Sequence, residues 1–324
     1  MTRLTEGHDA TLADLDLRPT AEIVRALNDA NAVVLDALHD AEDDLAALVD
    51  AAVARPGRVI YVGAGSAGAM AAADAAEWGP TFSVPDESIV ALVAGADLPR
   101  GAPCEGAEDD REAGRREMLA LAPTADDVVV AVSASGTTPY ALAALGAASE
   151  RGALTAAIVC APGAPLAAMA EHAVVLAVGP EVIAGSTRLK AGTAQKLALN
   201  AFSTALMVRR GRTYGNLMSG MRVANAKLRE RALRICCLAS GCDEHAARAA
   251  LAAADEDLEV ALVMLLAGVD ASEAHARLVA AGSVREAARG AAARVPETTP
   301  LRTADEQPGR DPLPGPDPLR EATP

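Results

Sequence analysis

Aromatic side chains are nearly missing from this chain of 324 residues: they make up 2% of it, while apolar residues of all kinds reach 51%. A core large enough for one or two domains is therefore built mainly from Ala, Val and Leu. Long apolar runs are missing too, since no stretch approaches the ~20 residues of a membrane-crossing helix. The opening MTRLTEGHDATLADLDLRPT carries acids and no apolar centre, unlike a secretory or mitochondrial leader. The expected location is the cytoplasm, with no membrane partner. The five cysteines, Cys104, Cys160, Cys236, Cys237 and Cys242, are odd in number and lack a CxxC spacing, which suits reduced structural thiols. The five histidines show no HExxH or other ligand spacing, so no metal site is expected. Positive charge is scarce, and a net charge of −15 argues against nucleic acid as a partner. It leaves an anionic small ligand open, because local loops and a few cations decide that.

What is present is organised around Arg58 to Phe82, RVIYVGAGSAGAMAAADAAEWGPTF. Val59 to Val62 favour a strand, Gly63 to Gly68 form a glycine and serine loop, and Ser66 to Trp78 is alanine-rich and helix-permissive. A helix start leaves backbone N–H groups unpaired at the positive end of its dipole, so this turn suits an anion such as phosphate. Before it, Val34, Leu38, Leu45, Val49 and Val53 keep to one side of a long helical pattern that Pro56 and Gly57 end. After it, strands are expected near 58–63, 88–94, 127–133, 154–160 and 173–178, with helices between most of them. Runs apolar on both faces and separated by helices imply an α/β fold: a five-stranded parallel sheet sandwiched by helices.

The third strand runs into a second turn of similar design, SASGTTPY from Ser133 to Tyr140, and then into ALAALGAASE. Ligands of such sheets bind beyond the carboxyl ends of the strands, so both loops are placed to address one site. The segment from Gly241 to about Arg289 reads as three short helices, with Asp270 as an N-cap and Glu273 as its partner ahead of the last. The expected division is an arm over 1–19, a main domain over 20–239, a small helical module over 240–289 and a disordered tail over 290–324. That tail has eight prolines and no aromatic.

GAGSAG formally matches the dinucleotide fingerprint GxGxxG, but the acid that would hold a ribose has one fair candidate, Asp97, about thirty residues past Gly68 and later than usual. A dinucleotide leaves the second loop unexplained, so NAD is not expected here. Two serine-bearing loops suit a sugar phosphate, with Gly65, Ser66, Ser133, Ser135 and Thr138 as binding residues. Capping of the following helix is the alternative for each hydroxyl, and the spacing leaves both readings open. Glu77, in an apolar stretch, and Glu108, in CEGAEDD, are the candidates for chemistry, because a carboxylate held against apolar walls exchanges protons near neutrality. From spacing alone, Glu108 is one acid among Glu105, Asp109 and Asp110, and a solvated loop is the plainer reading.

Taken together, GAGSAG, ADAAEWGPTF, EGAEDD, SASGTTPY, GSTRLKAGTAQKLALN, YGNLM and ANAKL, in that order, resemble the N-acetylmuramic acid 6-phosphate etherase family. Its relatives include the glucokinase regulatory protein, and its core is a sugar isomerase (SIS) domain. The resemblance begins at TEG, Thr5 to Gly7, and covers roughly residues 5 to 285. It implies an SIS-type sheet and a cofactor-free lyase that removes the D-lactyl ether from N-acetylmuramic acid 6-phosphate, giving N-acetylglucosamine 6-phosphate and D-lactate. It places the catalytic pair on Glu77 and Glu108. Glu77 is assigned the acid/base work of elimination and rehydration, and Glu108 ring opening or proton shuttling. Lys190 is assigned to offset the lactyl carboxylate or a developing oxyanion. It also implies a homodimer whose sites take residues from both subunits.

The chain departs from the family pattern where Ala67, Ala69 and Thr137 stand for a serine and two arginines, and where Trp78 and Gly79 replace a Cys-Pro pair. A non-catalytic sugar-phosphate sensor and an aldose–ketose isomerase on the same sheet are the competing readings.

Overall fold

The computed structural model describes residues 6–96 and 106–289. Thr5, Asp97, Cys104, Glu105 and the proline-rich tail lie outside the described residues. Three helices come first, α1 (Thr20–Asp29), α2 (Ala32–Asp40) and α3 (Glu42–Val53). The long helical pattern is thus broken at Asn31 and Ala41 rather than continuous. The breaks let α2 and α3 each lay an apolar side on the same later helix, seating Val34, Ala37, Leu48 and Val49 in the core.

The sheet then alternates with helices: β1 (Val59–Gly63), α4 (Gly65–Ala76), α5 (Trp78–Phe82), β2 (Ile89–Val93), α6 (Arg111–Ala120), β3 (Val128–Ser133), α7 (Pro139–Glu150), β4 (Leu154–Val159), α8 (Pro165–Met169) and β5 (His172–Val175). Its order is β2-β1-β3-β4-β5, and every pairing is parallel, with Val59 opposite both Ile89 and Val128. This is the expected five-stranded α/β architecture.

Strand side chains alternate between two cores, as a period of two requires. Val59, Tyr61, Val128 and Val130 face one side, where α2, α3, α4 and the long helix α9 (Lys190–Arg209) pack. Ile60, Val62, Val129 and Ala131 face the other, under α6, α7 and α8. The few aromatics are concentrated on the first side. Tyr61 meets the Trp78 ring edge-on at 6.4 Å and Phe202 at 6.4 Å. Asp74, 3% exposed, sits among them and accepts hydrogen bonds from the Tyr61 hydroxyl (2.9 Å), the Trp78 indole (3.1 Å) and the Ser203 hydroxyl (3.0 Å). Lys196 of α9 lies 3.9 Å from the same carboxylate, which gives this cation a structural partner. Burial, reinforced by the Asp74 charge, pushes the Tyr61 phenol well above its ordinary pKa, so it stays a neutral donor.

A third core belongs to α10 (Ala226–Ser240), α11 (Glu244–Ala253), α12 (Leu258–Ala267), α13 (Ala271–Ala281) and α14 (Val284–Arg289). Asp270 caps α13 by accepting from the Glu273 backbone N–H at 2.9 Å, but the Glu273 carboxylate pairs with Arg277 at 2.8 Å instead of turning back. The short α14 follows, a fourth helix beyond Gly241. Among the described residues no helix is long and apolar enough to cross a membrane.

Candidate active site

The strand order reverses at β1: its connection runs outward to β2, and the chain then returns to place β3 on the other flank. Loops after β1 and β3 therefore diverge from one point and leave a crevice at the carboxyl ends of the strands, where open α/β sheets bind ligands. A cleft of about 380 Å³ fills that crevice. It is lined by Ala64 to Ala67 from the first loop, by Ser133, Ser135, Thr137 and Thr138 from the second, and by Glu108, Asp109 and Glu6. Gly185, Thr187 and Gln195 close it from the side of α9. A cleft of about 480 Å³ also lies between the sheet domain and the helical module, but none of the expected site residues lines it.

Local sequence explains the first loop. Gly63 and Gly68 approach so closely that a Cβ on Gly63 would stand 3.0 Å from the Gly68 backbone, and Gly65 adopts a φ of +52°. Strand and helix can join this tightly only because these positions lack side chains. Neither α4 nor α7 has a side-chain cap, so their first N–H groups remain available at the cleft. Pro139 at the first turn of α7 removes a donor that no helix bond would have used.

The hydroxyls of the second loop brace it. Ser133 and Thr138 share a hydrogen bond of 2.8 Å, Ser135 and Thr137 one of 3.0 Å, and Ser133 Oγ accepts the Gly136 N–H at 3.1 Å. Both readings of these residues thus meet here: the hydroxyls shape the turn and also line the cleft. No lysine or arginine occurs among the described residues that line it, whereas Glu6, Glu108 and Asp109 do. The donors that the cleft presents within one chain are therefore N–H groups and hydroxyls, in keeping with alanine at 67 and 69 and threonine at 137. Among the described residues no group of three or more His, Cys, Asp or Glu side chains is arranged to hold a metal ion.

Six of the eight expected site residues, Gly65, Ser66, Glu108, Ser133, Ser135 and Thr138, converge on this cleft. Glu77 and Lys190 do not. Glu77 is exposed at the far end of α4, and twelve helical residues at 1.5 Å each put it about 18 Å from the loop. Of the apolar stretch around Glu77 in the sequence, Trp78 and Ala71 turn inward, while Ala73, Ala76 and Glu77 face solvent. Lys190 is buried at the start of α9 and does not line the cleft.

Residues that sequence reasoning passed over are Glu6, Asp109, Thr187 and Gln195, together with Glu181. The buried Glu181 accepts the Lys190 and Ala191 N–H groups at 3.0 and 2.9 Å, complementing the positive end of α9 with a carboxylate. Glu6 and Gln195 lie inside TEG and AGTAQK, so their motifs were visible while their roles were not.

A model of the SIS domain matches residues 109–205, and one of the glucokinase regulatory protein N-terminal SIS domain matches residues 42–149. A relative from Rubrobacter xylanophilus, an N-acetylmuramic acid 6-phosphate etherase, is 49% identical over 88% of this chain and 95% of its own length. Proteins of the same name from Deinococcus radiodurans and Streptomyces coelicolor are 48% and 46% identical, over 86% and 90% of this chain and 93% and 94% of theirs. Identity at this level along nearly the whole of each relative shows that the chain belongs to the N-acetylmuramic acid 6-phosphate etherase family.

Proposed function

We propose that this protein is a carbon–oxygen lyase of the cytoplasm that cleaves the D-lactyl ether of N-acetylmuramic acid 6-phosphate, yielding N-acetylglucosamine 6-phosphate and D-lactate. The observation that carries the reading is the switch-point cleft, where two uncapped helix N-termini with hydroxyl-bearing loops share a space with Glu108. The N–H groups of the α4 and α7 starts, with Ser66, Ser133, Ser135 and Thr138, hold the 6-phosphate without a metal. The sugar then extends toward Glu108.

Ring opening exposes an aldehyde at C1, which acidifies the C2 proton. A carboxylate takes that proton, the C2–H electron pair forms a C2=C3 bond, and the C3–O bond breaks to release lactate, which gains a proton as it leaves. Water adds at C3, and a proton returns to C2. In this scheme Glu108 serves ring opening and proton shuttling while Glu77 serves elimination and rehydration.

Because Glu77 lies about 18 Å along α4 from the cleft of its own chain, it serves a cleft only across a subunit boundary. The working unit is therefore a homodimer, each site pairing one subunit's Glu108 with its partner's Glu77. The lysine or arginine that neither loop supplies would come from the same neighbour. Lys190, buried within its own chain and outside that chain's cleft, does not supply this cation.

The test is incubation with N-acetylmuramic acid 6-phosphate in H₂¹⁸O, followed by mass spectrometry. Elimination and hydration put label at C3 of the amino sugar and release D-lactate. A ketose product, or ligand binding without lactate, refutes the proposal.

A further inference from the structure

Gln195 is a buried amide with an unmet hydrogen bond at the wall of the cleft. Only 1% of it is exposed, its Nε2 has no hydrogen-bond partner among the described residues, and the residue lines the cleft. An amide placed this way is costly to the folded protein, because it has left water without gaining a partner. Slack in α9 does not account for it. Glu181 clamps the first turn, the Cys160 thiol donates to the Ala191 carbonyl at 3.8 Å, and Ala191, Ala194 and Ala198 are buried around it. The helix holds this face in one orientation, and a methionine or leucine there would fill similar space with no polar group to satisfy.

We infer that Gln195 is a specificity-determining substrate residue, its amide donating to an oxygen of the sugar rather than of the phosphate. The phosphate already has its donors at the uncapped α4 and α7 starts. The inference rests on the amino-sugar phosphate proposed above as substrate. It adds that the cleft reads a sugar hydroxyl or carbonyl through a donor that stays unpaired until ligand arrives. A site built to pair with a polar group rejects analogues lacking it, because the donor is then left buried and alone.

The test compares Gln195→Met and Gln195→Glu with the unmodified protein, using thermal unfolding and calorimetric binding of N-acetylglucosamine 6-phosphate and of inorganic phosphate. Gln195→Met should melt about 2–4 °C higher in the absence of ligand, since the unpaired amide is gone. It should bind N-acetylglucosamine 6-phosphate at least about tenfold more weakly and inorganic phosphate within about twofold of normal. With N-acetylmuramic acid 6-phosphate, KM should rise while kcat stays within about threefold, because the contact exists before the reaction. Gln195→Glu, which keeps the shape but replaces the donor with an acceptor, should lose affinity for the sugar as well.

Opposite signs for stability and affinity distinguish a ligand contact from a structural role. Unchanged sugar binding in both variants, a lower melting temperature in Gln195→Met, or an equal loss of inorganic phosphate overturns the inference. If the unmodified protein binds neither amino sugar, the substrate assignment falls and this inference with it.

Discussion

Mixing two inactive variants should restore activity. Glu77→Gln and Glu108→Gln each remove one positioned acid/base group and should lower D-lactate release about 10²- to 10⁴-fold while leaving the fold intact. The helix geometry determines what a mixture does. Glu77 lies about 18 Å from the cleft along α4, whereas a glutamate side chain extends only about 5 Å from its own backbone, so the two glutamates of one chain cannot act on one sugar. In a dimer with shared sites, a Glu77→Gln subunit paired with a Glu108→Gln subunit has one site with both mutations and one with neither. Random exchange makes half the dimers mixed, and each of these carries one sound site of two, so activity should recover to about a quarter of normal. The assay is a coupled measurement of D-lactate after the variants are dissociated together and reassociated, with each variant treated alone as reference. Recovery no greater than the sum of the separate variants would refute the shared-site reasoning. Normal lactate release by Glu77→Gln alone would remove that residue from the chemistry.

Two further predictions concern stability and the thiols. Burial pushes the Asp127 carboxyl up, but hydrogen bonds from Arg58 and from the Thr124 and Arg58 backbone N–H groups outweigh it and hold the pKa below 3.8. This contribution to stability is therefore present above the unfolded value near pH ~3.9 and is lost as pH falls through the folded value. Asp127→Asn should cost about 1–3 kcal/mol in urea unfolding at pH 7 and progressively less below about pH 4; a cost that grows on acidification would contradict the sign. Burial, with the Glu181 charge second, pushes the Cys160 thiol up to about 12, and burial, with Cys242 and Cys237 behind it, does the same for Cys236. Iodoacetamide at pH 8 should leave both unlabelled in the native protein and label them after unfolding; fast stoichiometric native labelling would exclude this account.

Legibility in the sequence followed the range of the forces involved. The strands were readable because buried parallel strands carry uninterrupted apolar runs, and β3 and β4 fall close to where VVVAVS and LTAAIV place them. The two serine loops were readable because a strand, a glycine turn and an alanine-rich helix are all local signals. The first long helix was read as one pattern because its apolar spacing from Val34 to Val53 runs across Ala41, and only packing against α9 shows where it bends. Glu77 was read as close to the loop of its own chain although the length of α4 was visible, because closeness in sequence was taken for closeness in space.

The amino-acid sequence by itself determined the α/β class, the positions of the strands, the two phosphate-suited turns and the family. These follow from periodicity, turn chemistry and motifs, which act among residues a few positions apart. Tertiary structure alone decided that β1 and β3 are neighbours, that Glu108 and Gln195 share a cleft, and that Glu77 and Lys190 stand outside it. Such pairings depend on burial between segments distant in the chain, where apolar surface leaves water jointly and no local pattern records its partner.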